Sequence, residues 1–186
     1  MRYLIASGLP SAQLSKGCTL VADGEAIALE TPWTFGAPLI ARVDDGADLS
    51  ILNKPGISAF LVEGQAEPNT GQAFAIGAHI MRDPEGFKPY ALGVPPVIKN
   101  YGCHYVARGG AVTTLSGSFV PDRVVLMQFP DADRMVDFYF CDGYAPLLPI
   151  RLKTTEPRFV VMARSGAMPE RARRIIAARL PGALAN

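Results

Sequence analysis

The chain has 186 residues, which allows one large domain or two small ones, and its 49% of hydrophobic residues suffices for a packed core. A formal net charge of +1 excludes the basic balance of a general nucleic-acid-binding protein, and no apolar run reaches the about 18 residues that a membrane span needs. Three cysteines and two histidines without a C-x-x-C pair indicate neither a disulfide framework nor a zinc site. We therefore expect a soluble, cytoplasmic protein with no metal, no cofactor and no nucleic-acid or membrane partner.

Residues 1–64 are predicted to form a β-rich N-terminal domain. Cys18–Ala22 and residues 25–29 flank Asp23 and Gly24, a two-residue signal for a β-hairpin. Three further segments are predicted: a strand at residues 37–43, a short helix starting in residues 44–49 and a strand at residues 57–63. The domain is either a shortened repeat of the unit that follows or an unrelated β-rich fold.

The second part of the chain begins with a strand and a helix. Ala73–Met81 is short, apolar and bounded by turns, which favours a buried strand. Asp83 can cap a helix, and Pro84 suits the first helical position. Pro95 and Pro96 lie inside that helix and are expected to kink or split it, because proline lacks the backbone donor.

The remaining segments complete an α+β unit. Strands are predicted at residues 103–107, Arg123–Phe129 and Phe159–Ala163, with residues 111–115 extending the first hairpin, a second helix from Asp131 and a short helical piece at residues 144–152. The order strand, helix, strand, strand, helix, strand is the pattern of a ferredoxin-like fold.

The sheet of this unit needs a second cover. Two helices shield only one of its faces, and Ala73–Met81 shows little alternation of apolar and polar residues. A second sheet should therefore bury the open face. It comes either from a partner chain in a homodimer through the sheet face or from the N-terminal repeat within one chain.

The predicted organisation is an N-terminal domain at 1–64, a linker at 65–72, a ferredoxin-like domain at 73–164 and a basic C-terminal helix within 165–186. The linker is polar, with proline and glycine and no apolar period. The last helix carries four arginines and a narrow apolar edge. It fits either a membrane surface or a solvated helix packed on its own or a partner chain.

Residues 73–164 resemble a known bacterial family. The segments that carry the resemblance are Asp83-Pro84-Glu85 with Phe87 and Tyr90, Lys99-Asn100-Tyr101-Gly102, Arg108-Gly109-Gly110, residues 123–130, Phe138-Tyr139, Gly143-Tyr144 and Pro149-Ile150-Arg151. Together they are similar to the family of domain of unknown function 1330, in the dimeric α+β barrel superfamily. The resemblance implies a ferredoxin-like protomer packed sheet to sheet, and it implies no activity. The N-terminal part and the paired prolines depart from the family pattern.

Two histidines are candidate catalytic residues. His79 lies on the first strand of the unit and His104 on the second, where they either face the interior together or point to opposite faces. An imidazole there could act as a general base near neutral pH. The alternative for each is a hydrogen-bonded structural histidine.

Tyrosines and arginines are candidate substrate-binding residues. Tyr101, Tyr139 and Tyr144 can orient a substrate through their hydroxyls or can simply pack in the core. Arg108 and Arg151, at positions that the family resemblance suggests are basic, can bind a carboxylate through two parallel hydrogen bonds or can form ordinary ion pairs.

Two hypotheses of function follow. The first is a cofactor-free enzyme or isomerase that acts on a small apolar or aromatic acid inside the barrel, with a histidine moving the proton. The second is a small-molecule-binding or assembly domain without catalysis, which the absence of a recognisable nucleophile or cofactor loop favours.

Overall fold

The computed structural model describes residues 1–30 and 33–184, and within them the chain forms eleven β-strands and four α-helices. The strands are β1 (Arg2–Ser7), β2 (Cys18–Ala22), β3 (Ala26–Ala28), β4 (Pro38–Val43), β5 (Ser58–Glu63), β6 (Ala73–Met81), β7 (His104–Arg108), β8 (Val112–Ser116), β9 (Arg123–Phe129), β10 (Thr155–Glu156) and β11 (Phe159–Ala163). The helices are α1 (Pro84–Lys99), α2 (Ala132–Tyr139), α3 (Leu148–Thr154) and α4 (Glu170–Arg179), with short 3-10 helices at Ser11–Gln13 and Ser50–Asn53. None of these helices is long and apolar enough to cross a membrane. The predicted mixed α+β fold class is confirmed.

The strands form two antiparallel sheets. The N-terminal sheet has the order β2-β4-β1-β5-β8, and the C-terminal sheet has the order β3-β11-β6-β9-β7, with β10 pairing to the far end of β6. β6 and β9 therefore lie side by side in the interior of the C-terminal sheet. Residues 65–72 between the two parts contain no strand or helix.

The two sheets follow the same topology. We number the four strands that each half contributes to its own sheet in chain order, leaving out the short β10. Both sheets then have the order fourth, first, third, second: β5-β1-β4-β2 and β11-β6-β9-β7. Each half also gives one strand to the other sheet, because β3 pairs with β11 and β8 pairs with β5. The halves are thus interlocked by strand exchange.

The hairpin expected around Asp23 and Gly24 is absent, so that prediction is wrong. The amide of Asp23 donates to the carbonyl of Arg164, and the amide of Glu25 donates to the carbonyl of Gly166. Gly24 does not have the positive φ that a tight hairpin turn of this type requires. A Cβ atom at Gly24 would lie 2.5 Å from the carbonyl oxygen of Ala163, so glycine allows the chain to pass from one sheet to the other. The expected extension of β7 by residues 111–115 fails likewise, since β8 joins the N-terminal sheet.

The face of the C-terminal sheet opposite the helices is covered within the chain. Large side chains from both sheets form one buried cluster between them, including Tyr3, Ile5, Phe60, Phe74, Ile76 and Leu126. Stacked sheets bury the apolar residues of both inner faces in this way. A homodimer through the same face would require the N-terminal sheet to move off the C-terminal sheet first.

Helix α1 runs unbroken through its prolines, so the expected split does not occur. Asp83 caps the helix by accepting a hydrogen bond of 2.9 Å from the amide of Gly86. In a regular α-helix the carbonyl of Ala91 would accept a hydrogen bond from the backbone amide of residue 95. Pro95 has no N–H and cannot donate it. The Arg108 guanidinium donates to that carbonyl instead, at 2.5 Å. Tertiary contacts thus replace a hydrogen bond that the proline removes.

Candidate functional site

A cleft lies between α1 and the helix-covered face of the C-terminal sheet. Its floor is one row of the sheet, in which Phe159, Gly77, Val125 and Arg108 are aligned across four strands by the hydrogen-bond register. The cavity volume of the cleft is about 20 Å³, room for one water-sized group, and the empty space there together with open solvent is about 370 Å³. The other lining residues are His79, Phe87, Tyr90, Ala91, Val94, Tyr105, Arg123 and Met127.

The floor of the cleft is open because Gly77 has no side chain. A Cβ atom there would lie 2.9 Å from Nε2 of His79, closer than real contacts allow. The imidazole of His79 can therefore lie over the backbone of Gly77. An alanine at this position would push the ring away, so we infer that glycine shapes the cleft.

Two arginines flank the cleft without an acidic partner. Neither Arg108 nor Arg123 forms a salt bridge with any residue that the structure describes. The Arg123 guanidinium lies 5.2 Å from the ring centre of Phe87, and the Arg108 guanidinium lies 4.8 Å from that of Tyr105. Nε of Arg123 is buried and has no hydrogen-bond partner in the described part of the chain. Such groups favour an anion that can accept their hydrogen bonds.

Electrostatic shifts agree with an excess of positive charge in the cleft. The pKa of Arg123 is lowered, first by burial and then by the like charge of Arg108. Burial raises the pKa of Tyr105, so its hydroxyl remains protonated and does not neutralise the arginines. A bound anion would offset this repulsion.

His79 is held as a neutral hydrogen-bond donor. Its side chain is buried in the cleft wall, and Nδ1 accepts a hydrogen bond of 3.4 Å from the backbone amide of Arg158. That contact assigns the ring hydrogen to Nε2. The pKa of His79 is lowered well below its usual value, first by burial and then by the charges of Arg151 and Arg123. The imidazole can therefore donate from Nε2 at neutral pH.

The buried neutral imidazole makes stability depend on pH. Below about pH 6.5 His79 becomes protonated in the unfolded chain but stays neutral in the folded chain. The free energy of unfolding therefore decreases as the pH falls. We expect a loss of up to about 1.4 kcal/mol per pH unit between about pH 6.5 and 5. Denaturant unfolding of wild type and His79→Gln should show this slope in the wild type alone.

The control for that measurement is Leu92→Ala, which changes an exposed side chain without a titratable group and should keep the wild-type slope. The lowered pKa values of the Glu25 and Asp48 carboxyl groups cause stability losses only below about pH 4.5. An equal slope in wild type and His79→Gln would contradict the neutral assignment.

The second predicted histidine lies outside the cleft. His104 is opposite Gln128 in the sheet register, on the face turned away from the helices, whereas His79 is opposite Arg123 on the helix-covered face. Nδ1 of His104 lies 3.4 Å from the side-chain amide nitrogen of Asn69, near the linker. The two histidines point to opposite faces, and the geometry gives His104 no part in a shared site.

Arg151 forms an ion pair with a carboxylate of the chain itself. This corrects its predicted role of binding a substrate carboxylate at a cleft mouth and agrees with the alternative of an ion pair. The side chain is completely buried, and Nη1 donates to Oε2 of Glu30 at 2.7 Å, with a second hydrogen bond from Nη2 to Oε1. The hydroxyl of Tyr139 donates to the same Oε1 at 2.8 Å. Arg151 and Tyr139 thus form a structural network that binds the N-terminal half to α2 and α3.

The other predicted tyrosines also lie in the helix-side core. The hydroxyl of Tyr144 is 3.1 Å from that of Tyr90, and Tyr144 has no exposed surface. Tyr101 packs against Phe138 with ring centres 6.0 Å apart, and its pKa is raised to about 12, chiefly by a hydrogen bond with Cys141. Neither lines the cleft. Of the predicted site residues, His79 and Arg108 are the two that line the cleft.

A larger cavity of about 580 Å³ lies beside β3, between Trp33 and α4. Its charged lining residues, Glu25 and Arg173, form an ion pair with each other, and Glu25 also accepts from the amide of Met168. Within the described residues, both charged side chains that line this cavity are thus paired, whereas the smaller cleft has the unpartnered Nε of Arg123, so it is the better candidate for an anion.

Comparisons with known proteins address only part of the chain. The model of the family described as "Domain of unknown function (DUF1330)" matches residues 72–165. The crystal structure of a protein of unknown function from Rhodopseudomonas palustris is similar, with 18% identity and a TM-score of 0.44, over 54% of this chain and 96% of that chain. No curated protein matches the sequence.

Proposed function

The chain belongs to the DUF1330 family, a domain of unknown function that covers residues 72–165, and from the geometry of the α1 cleft we propose that it binds a small organic carboxylate there. The carboxylate head lies between Arg108 and Arg123, and its carbon chain points toward Phe87 and Val94. The predicted ligand, a small apolar or aromatic acid, is thereby narrowed to a short carboxylate. Arg123 takes the carboxylate-binding role that the sequence suggested for Arg151.

The observation that carries the proposal is the pair of arginines for which residues 1–30 and 33–184 provide no counter-ion. Burying a cation costs free energy unless it is paired and hydrogen-bonded. Arg123 lies partly buried, with an unsatisfied Nε and a like charge nearby. A carboxylate can accept two parallel hydrogen bonds from one guanidinium and neutralise the excess charge of both.

The volume of the cleft limits the size of the ligand. The cavity volume of about 20 Å³ admits one water-sized group, so any carboxylate requires the arginine side chains to move, and a bulky aromatic acid requires the largest movement. Arginine side chains are long and flexible, and they form the movable part of this wall. We therefore expect short carboxylates to bind before larger ones.

Binding fits the cleft better than proton abstraction by His79. A general base needs a free nitrogen facing the substrate. Nδ1 of His79 already accepts from the amide of Arg158, and Nε2 carries the hydrogen that points to the ligand. The isomerase hypothesis would need the imidazole to break that contact.

Titration calorimetry with a series of carboxylates tests the proposal. Acetate, propionate and butyrate should bind, whereas acetamide and propionamide of the same shape should not. Arg108→Gln and Arg123→Gln should each weaken propionate binding by about 10-fold to 100-fold, the range expected for hydrogen bonds to a charged group.

The matched control is Arg134→Gln, because Arg134 is an exposed arginine on α2, outside the cleft. It should leave the affinity for propionate unchanged. Equal binding of propionate and propionamide, or equal losses in all three variants, would refute a carboxylate site at the arginine pair.

A further inference from the structure

One polar group of the cleft is not used by a carboxylate head. Nε2 of His79 carries a hydrogen, lies over the bare backbone of Gly77, and belongs to a side chain that is 2% exposed. His79 lines the cleft, so a ligand that supplies an oxygen to this N–H binds more tightly than one that does not.

Among the residues that the structure describes, the His79 ring forms a hydrogen bond through Nδ1 and none through Nε2, so a ligand can supply the acceptor. The hydroxyl of Tyr90 is paired with that of Tyr144 at 3.1 Å. Arg123, directly opposite His79 on the neighbouring strand, has only donors. Side chains at directly opposed positions of an antiparallel pair have Cβ atoms about 5 Å apart, within reach of one small molecule.

We propose that the cleft selects short oxo-carboxylates, with the carboxylate on Arg108 and Arg123 and the keto oxygen on Nε2 of His79. This inference rests on the proposed function and names its ligand class. His79, Arg108 and Arg123 all line this one cleft, so one small molecule can contact the three side chains together. His79 is thus a specificity-determining residue rather than a base.

Paired ligands measure the preference. The pairs are pyruvate with propionate, acetoacetate with butyrate, and levulinate with valerate, which place the keto oxygen at successive carbons. We expect at least one oxo acid to bind wild type about 10-fold more tightly than its alkyl partner. The pair with the largest ratio of oxo-acid to alkyl-acid affinity shows how many carbon atoms separate the keto oxygen from the carboxylate in the cleft.

Variants separate the two subsites. His79→Leu should reduce the ratio of oxo to alkyl affinity to about one, and His79→Gln, which keeps an N–H donor, should retain part of it. Arg123→Gln should weaken both members of a pair by a similar factor and keep their ratio.

The outcomes distinguish the two proposals, and the wild-type ratios alone decide even if a variant does not fold. Equal affinities for oxo and alkyl acids in every pair would overturn the oxo-acid inference and leave carboxylate binding intact. Failure of all six carboxylates to bind would overturn carboxylate binding itself, and the oxo-acid inference would fall with it.

Discussion

Replacing Glu30 with glutamine should lower the free energy of unfolding by about 3–5 kcal/mol, because it leaves the buried Arg151 guanidinium without a counter-ion. The two hydrogen bonds of the pair and the donor of Tyr139 all meet on this one carboxylate. Urea unfolding followed by circular dichroism measures the loss. Glu85→Gln, which removes an exposed ion pair with Lys88, should cost less than about 1 kcal/mol.

A double variant distinguishes an unpaired charge from lost packing. Adding Arg151→Met to Glu30→Gln removes the stranded cation, so the double variant should be more stable than Glu30→Gln alone. A double variant that is less stable than the single one would show that the Arg151 side chain stabilises the fold mainly by packing on Tyr90 and Phe159.

Separating the chain at the linker should abolish folding of both pieces. Residues 72–186 alone lack β3 and the N-terminal sheet that covers one face of β6 and β9, and residues 1–71 lack β8. Both pieces would expose the apolar side chains of the cluster between the sheets, and a small domain cannot sustain that loss. We expect neither piece alone to show cooperative thermal unfolding or dispersed amide resonances.

The control for this separation is the complete chain cleaved within residues 65–72 after folding. Its halves should remain associated, because strand exchange and the cluster between the sheets hold them together. A stable, monomeric and cooperatively folded 72–186 piece would contradict the interlocked arrangement. If that piece folds as a dimer, a partner sheet can replace the N-terminal one.

The shared strand order supports an internal repeat, which we propose as the origin of the N-terminal half. Apart from α3 and β10, which are additional in the second half, each half runs strand, helix or 3-10 helix, strand, exchanged strand, strand, helix or 3-10 helix, strand. In the first half the helices are reduced to Ser11–Gln13 and Ser50–Asn53. In the described residues no α-helix lies between β1 and β2 as α1 lies between β6 and β7, so we expect one ligand per chain.

Local sequence signals predict the central strands well. The bounds of β6, β9 and β11 match the prediction, since each is a short apolar run between turn residues. Which strands pair with each other is harder to predict from the sequence. Asp23 and Gly24 have the composition of a hairpin turn, yet contacts with Arg164 and Gly166 direct the chain to the other sheet. Local propensity cannot anticipate partners so far away in sequence.

The candidate site is harder to predict than the fold for the same reason. Arg151 looks available until Glu30, 121 residues away in sequence, is found beside it. Arg123 begins an ordinary strand, and only the register that places it opposite His79 reveals it as part of the cleft. Arg108 and His79 are recognisable from residue type alone, whereas the pairing state of a charge depends on tertiary structure.

A crystal structure of the protein with pyruvate or propionate tests the account most directly. We predict the carboxylate within hydrogen-bond distance of the Arg108 and Arg123 guanidinium groups, with the keto oxygen of pyruvate on Nε2 of His79. A ligand bound instead in the larger cavity beside β3, with the α1 cleft unchanged, would contradict it.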